Sequence, residues 1–223
     1  MSMSVFVTGG TGYIGRPLIS ALLTRGHAVH ALVRTGSEGK VPAGTVTATG
    51  NALDESTFAS SIPPAATLVH LVGTPHPNPT KAAEFQNVDL RSIRATVAAA
   101  RQATVRHLVY VSVAHPAPVM QAYIAVRQEG EAAVRATGIP ATILRPWYVL
   151  GPGHYWPYVL LPAYAVLRWV PSTRAGAERL GLVTRQAMVA ALVSAVEKTP
   201  VVGITVMEVP EIRRAAFGDR AGS

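Results

Sequence analysis

The sequence predicts an α/β fold, a doubly wound and mostly parallel sheet with helices on both faces. Three observations predict it. The chain starts with a β-branched and aromatic run, a glycine-rich turn and an amphipathic stretch, a strand–turn–helix unit. Apolar runs then alternate with helix-period segments along most of the 223 residues. No repeat of solenoid type and no low-complexity linker divides them, so residues 1–223 read as a single domain.

Taken in order, Val5 to Val7 is the first strand, and the helix from about Tyr13 carries Ile14, Leu18, Ile19, Leu22 and Leu23 on one side. Ala28 to Arg34 is a second, buried strand, and a third lies near Thr45 to Thr49. Gly50 to Asp54 turns into a short helix that ends before Pro63. Thr67 to Val72 is a fourth strand, and the prolines at 75, 77 and 79 make the next segment an extended loop. A long helix over Lys81 to Ala103, a strand over His107 to Ser112, a helix over Gln121 to Ala136 and a strand over Ala141 to Leu144 follow. A helix at Arg185 to Glu197 and a strand at Ile204 to Val209 close the domain, and 213–223 reads as a flexible tail. Residues 147–180 read as a lid or interface insertion. Within it, 156–170 is apolar and aromatic, but prolines and an arginine interrupt it and it is too short to span a membrane.

Glycines 9, 12 and 15 give the spacing G-x-x-G-x-x-G between strand and helix. The first permits the tight turn, the second lets backbone approach a pyrophosphate, and the third lets the helix pack on its strand. A helix N-terminus offers N–H groups and a positive dipole end to phosphates. The motif therefore predicts a nicotinamide dinucleotide site. Arg34 ends the second strand with no Asp or Glu beside it, where an acid selects the ribose hydroxyl and an arginine a 2′-phosphate. The expected cofactor is NADP, as NADPH, in preference to NAD.

Composition excludes several classes. Cysteine is absent, which removes disulfides and Cys-ligated metals and suits a cytoplasmic protein. His70, His76 and His107 are not at metal-ligand spacing, so no metal is expected. The formal charge of +8 is mostly arginine, scattered without the clusters or interleaved aromatics of a nucleic-acid face. No signal peptide is visible at Met1 to Ser4. The expected partners are a small-molecule acceptor and a second copy through 156–170, with no nucleic acid and no stable membrane insertion.

Thr8 to Gly15 (TGGTGYIG), Asn87 with the helix after it, Leu108 to Ser112 (LVYVS) and Gly130 to Gly153 resemble the short-chain dehydrogenase/reductase superfamily. The likeness is to its atypical or extended branch, epimerase-like or nitrogen-metabolite-regulator-like, and implies a Rossmann-type sheet with the cofactor across the carboxyl ends of the strands. It implies that Gly9, Thr11, Gly12, Tyr13, Ile14 and Gly15 form the phosphate loop and that Arg34 meets the 2′-phosphate. It places Asn51 near the adenine, and Leu71, Val72 and Gly73 beside the cofactor. It aligns the family's Tyr-x-x-x-Lys pair with Tyr123 and Arg127, with Ser112 as the third catalytic residue and Arg127 also toward the ribose. Leu144-Arg145-Pro146 resembles the loop beside the nicotinamide; Trp147, His115, His154 and Tyr155 fall on the substrate side.

Two departures stand out. Arg127 replaces lysine, and Ala114 occupies the position of the usual Ser or Thr, so that Ser112 must reach or His115 substitute. The expected function is NADPH-dependent hydride transfer to a small apolar acceptor of carbonyl, quinone or flavin type. The alternative is a non-catalytic NADP-binding sensor or accessory protein that acts through a protein partner.

Overall fold

The computed structural model describes residues 2–151 and 179–218. Strands β1 (Ser4–Thr8), β2 (Ala28–Val33), β3 (Val46–Thr49), β4 (Thr67–His70), β5 (His107–Val111), β6 (Ala141–Leu144) and β9 (Ile204–Met207) form one seven-stranded sheet in the order β3-β2-β1-β4-β5-β6-β9. Every pairing is parallel. The strand order reverses at β1, between β2 and β4. In open parallel sheets, that switch point leaves a crevice at the carboxyl ends of the strands. Two further strands, β7 (Val149–Leu150) and β8 (Val183–Thr184), pair in parallel as a separate ribbon, which residue patterning did not predict because each is only two residues long.

Alternate side chains of each strand supply the two faces of the core. Val5, Val7 and Val109 pack with helices α1 (Gly15–Thr24) and α5 (Arg185–Glu197) on one side. Phe6, Leu108 and Tyr110 pack on the other side with α3 (Arg91–Gln102) and α4 (Gln121–Arg135). This is the two-layered burial that the alternating pattern implies.

The helix expected over Lys81 to Ala103 is composite. It begins as α2 (Ala82–Glu84), continues as a π-helical segment (Phe85–Leu90) and ends as α3. The wider π turn shifts the side-chain phase, so Asp89 is buried and Asn87 exposed. The short helix expected before Pro63 is instead two 3₁₀ turns, Glu55–Thr57 and Ala59–Ser61. The flexible tail expected from 213 needs correction. Helix α6 (Val209–Gly218) runs through it to 218, seated by Val209 and Ile212, which are fully buried. His154, Tyr155 and 156–170 lie outside the described residues.

His70, at the end of β4, carries a stability prediction. It is buried with Nδ1 at 3.0 Å from Thr8 Oγ1 and 2.9 Å from Thr96 Oγ1, and burial, then the charge of Arg127, lowers its pKa to about 3. The native state therefore holds a neutral ring that the unfolded chain protonates near pH 6.5. Its contribution is fully present above that pH and is lost as pH falls from there toward 3. Each pH unit in that window is expected to remove up to about 1.4 kcal/mol. Urea unfolding at a series of pH values measures the slope, and His70→Asn should flatten it; an equal slope in both proteins would remove His70 as a cause.

Candidate functional site

The first element of the site is the turn after β1. Gly9 has φ +76°, and a Cβ there would lie 2.8 Å from the Leu71 carbonyl carbon. Backbone of the β1 and β4 ends thus meets at a point where no side chain fits. At Gly15 a Cβ would strike the Gly9 carbonyl oxygen, so α1 can begin against the turn only with glycine there. Gly12 is exposed between them, and its N–H donates to Gly9 O at 3.0 Å. No side chain caps the N-terminus of α1. A backbone cradle closed to side chains, at an uncapped helix N-terminus, fits a diphosphate.

From this cradle a cavity of about 690 Å³ extends across the ends of β4 and β5. Gly9, Gly12, Tyr13, Ile14 and Gly15 line one end, and Leu71 and Gly73 the wall beyond β4. Ser112, Tyr123 and Arg127 also line it, as do Pro146, Trp147, Tyr148 and Val149. Tyr13 also meets the guanidinium of Arg185, 5.1 Å above its ring. Thr11, Arg34, Asn51, Val72 and His115 do not line this cavity. Arg34 is exposed one residue beyond β2 and makes no ion pair among the described residues. Asn51 Oδ1 accepts from the Leu53 N–H at 3.0 Å, which commits its carbonyl to a turn.

Tyr123 is half-buried, its ring 4.9 Å from that of Phe85 and 5.1 Å from the Arg127 guanidinium carbon. Burial raises its pKa, against the pull of Arg127, and Asp89 adds to the rise. Burial thus outweighs the pull of the nearby cation, and Tyr123 holds its proton. The charge of Arg127 is also engaged elsewhere. Its Nη2 donates to Asp89 Oδ1 at 2.5 Å and its Nη1 to Val111 O at 3.0 Å. Asp89, fully buried, also accepts from the Thr74 N–H at 3.0 Å and the Thr74 hydroxyl at 2.6 Å.

Ser112 faces the cavity, yet its hydroxyl donates to Glu131 Oε1 at 2.7 Å. Arg145 grips the same carboxylate with Nε at 2.8 Å and Nη2 at 2.5 Å, and reaches Glu208 with Nη1 at 2.8 Å. Burial pushes the Glu131 carboxyl up, but the bonds from Arg145 and Ser112 outweigh it and leave the pKa below the ordinary carboxylate range. His115 turns to this cluster, with Nε2 3.4 Å from Glu131 Oε1, rather than to the cavity. Its expected role as a substitute donor therefore has no geometric support. Arg145, expected beside the nicotinamide, is likewise turned inward. Asp89, Thr74, Glu131 and Glu208 were not singled out in the sequence. An acid between Val88 and Leu90, and another among the apolar positions of α4, were the available signals.

A family model described as NAD(P)H-binding matches residues 9–154, which span both the glycine cradle and the strand ends that line the cavity. The chain belongs to this NAD(P)H-binding family. Its seven-stranded parallel sheet has the fold of short-chain dehydrogenase/reductase structures. It is 30% identical over 171 residues to a 4-hydroxy-2-methyl-3-oxo-4-farnesyl-3,4-dihydroquinoline-1-oxide ketoreductase of Stigmatella aurantiaca, covering 67% of this chain and 51% of that protein. It is 29% identical over 221 residues to a ceramide reductase of Caulobacter vibrioides, covering 96% of this chain and 66% of that one. The chain thus spans between half and two thirds of the length of these relatives. Among solved structures, a short-chain dehydrogenase/reductase superfamily protein from Agrobacterium tumefaciens with bound NAD superposes with a TM-score of 0.67 at 19% identity, over 92% of this chain and 77% of that one. UDP-glucuronic acid 4-epimerase from Bacillus cereus with NAD does so with 0.67 at 17% identity, over the same shares. This NAD(P)-binding protein has, among the described residues, no helix long and apolar enough to cross a membrane and no cluster suited to a metal ion.

Proposed function

We propose that the chain is an NADPH-dependent reductase that delivers a hydride to the carbonyl of a small apolar acceptor. The observation that carries this reading is the continuous cavity from the glycine cradle to Tyr123. Gly9, Gly12 and Gly15 would hold the diphosphate of a dinucleotide, and Tyr123 and Trp147 line the same cavity where its reactive ring would have to lie. The names of the two relatives above, a ketoreductase and a ceramide reductase, support a carbonyl over a sugar substrate.

Bound NADPH would supply the hydride. The chain's own residues supply the rest. Tyr123, held as a phenol, donates the proton that the reduced carbonyl oxygen needs. Ser112 has its proton committed to Glu131, which leaves Tyr123 as the donor. Trp147, Met120 and Val113 give the pocket apolar walls that keep water from the transfer. NADPH oxidation followed across a panel of ketones, quinones and flavins tests the reading. Turnover with a ketone is expected, and background rates throughout would sink it.

The inward commitments of Arg127 and Ser112 favour one second reading, an NADP-binding sensor. It predicts tight NADPH binding with no acceptor turned over.

Preference for NADP is part of the proposal. It is supported by Arg34, exposed beyond β2 and unpaired among the described residues, with its planar donors available to a 2′-phosphate. Arg34→Ala is expected to raise the Kd for NADPH about 10- to 100-fold, the worth of a charge-assisted bond, and to leave that for NADH unchanged. Calorimetric titration with both cofactors measures this; equal changes would remove Arg34 from the site.

A further inference from the structure

We propose that Asp89 is a positioning residue that takes up the charge of Arg127 and so keeps Tyr123 in its proton-bearing form. The inference rests on the reading of Tyr123 as the proton donor and names what maintains it.

Several observations converge on Asp89. The π-helical segment turns it inward, where it is fully buried. Its Oδ1 meets Arg127 Nη2 at 2.5 Å, and its Oδ2 takes both donors of Thr74, at 3.0 and 2.6 Å. A cation 5.1 Å from the Tyr123 ring would, standing alone, draw the phenol toward phenolate. Paired with a carboxylate inside the protein, the same guanidinium exerts a much weaker field on its neighbour.

The pair also occupies space that a side chain at 73 would need. A Cβ on Gly73 would fall 3.1 Å from Asp89 Oδ1 and against Arg127 Nη2. The Gly73–Thr74 wall of the cavity and the charge state of Tyr123 and Arg127 are therefore held by one carboxylate. The groups facing Tyr123 are Arg127 on its own helix, Asp89 on the π segment and Tyr110 on β5, with His76 on the wall of the same cavity. Of the groups that act on its charge, Asp89 is the anion. A phenol kept protonated is a donor for carbonyl reduction and a poor base for the reverse oxidation.

The test reads phenol ionisation directly, so it does not depend on any acceptor being turned over. Tyrosinate absorbance is titrated in the intact protein, and the matching Tyr123→Phe protein is subtracted to isolate Tyr123. In Asp89→Asn the Tyr123 midpoint is expected to fall by about one pH unit or more, the size of an uncompensated charge at this range. Asp89→Glu should restore the wild-type midpoint. If the isolated cation prevents Asp89→Asn from folding, the comparison is made in Arg127→Met. There, adding Asp89→Asn should again lower the midpoint, because an anion beside the phenol is lost. An unchanged midpoint in either background overturns the role of Asp89. A lowered midpoint in a protein that reduces no ketone would uphold the inference about Asp89 and refute the proposed function.

Discussion

Tyr123→Phe is expected to lower kcat for carbonyl reduction by about 10²- to 10⁴-fold, the usual worth of a positioned general acid. The substitution keeps the ring against Phe85 and under the Arg127 guanidinium, so folding and cofactor affinity should change little. Steady-state NADPH oxidation, with the NADPH Kd measured alongside, separates the two quantities. A variant with wild-type kcat would take Tyr123 out of proton transfer and leave solvent as the donor. A variant that loses affinity as well would assign the hydroxyl to cofactor binding.

The second large effect falls on stability. Glu131→Ala is expected to cost about 3–5 kcal/mol, as breaking a buried ion pair does when one charge is left behind. Glu131 is only 4% exposed and gathers Ser112, beyond β5, and Arg145, beyond β6, into one cluster. Arg145 carries the link on to Glu208, just past β9. Removal of the carboxylate leaves Arg145 with Glu208 alone and the Ser112 hydroxyl without its acceptor. Urea unfolding of wild type and variant measures the difference. A loss below about 1 kcal/mol, the range of an exposed pair, would show that water satisfies the cluster in the variant.

The fold was legible in the sequence because its signals are local. Strands buried on both faces read as short apolar runs, and β1, β2, β4, β5 and β6 fall within about two residues of the runs that predicted them. The glycine cradle was legible for the same reason: the φ of +76° at Gly9 and the packing of Gly15 on the Gly9 carbonyl are set by backbone geometry within one turn. What was not legible depends on residues far apart in the chain. Asp89 joins Arg127 across 38 positions, and Arg145 joins Glu208 across 63. No periodicity encodes such pairings. The π turn that buries Asp89 is part of the same problem, since a regular helix pattern gives no sign of its phase shift. Patterning identified Tyr123 and Arg127 as neighbours on one helix face but could not show that the arginine turns toward an acid on another helix. Helix α6 was missed because its charged and glycine-bearing sequence resembles a tail until Val209 and Ile212 find the core.

Everything functional here depends on a dinucleotide lying in the cavity between the glycine cradle and Tyr123. A crystal structure of the protein grown with NADPH tests that most directly. The diphosphate is expected at Gly12 to Gly15, the 2′-phosphate at Arg34, and the nicotinamide between Tyr123 and Trp147. NADPH bound elsewhere, or with its nicotinamide turned away from Tyr123, would contradict the proposed chemistry.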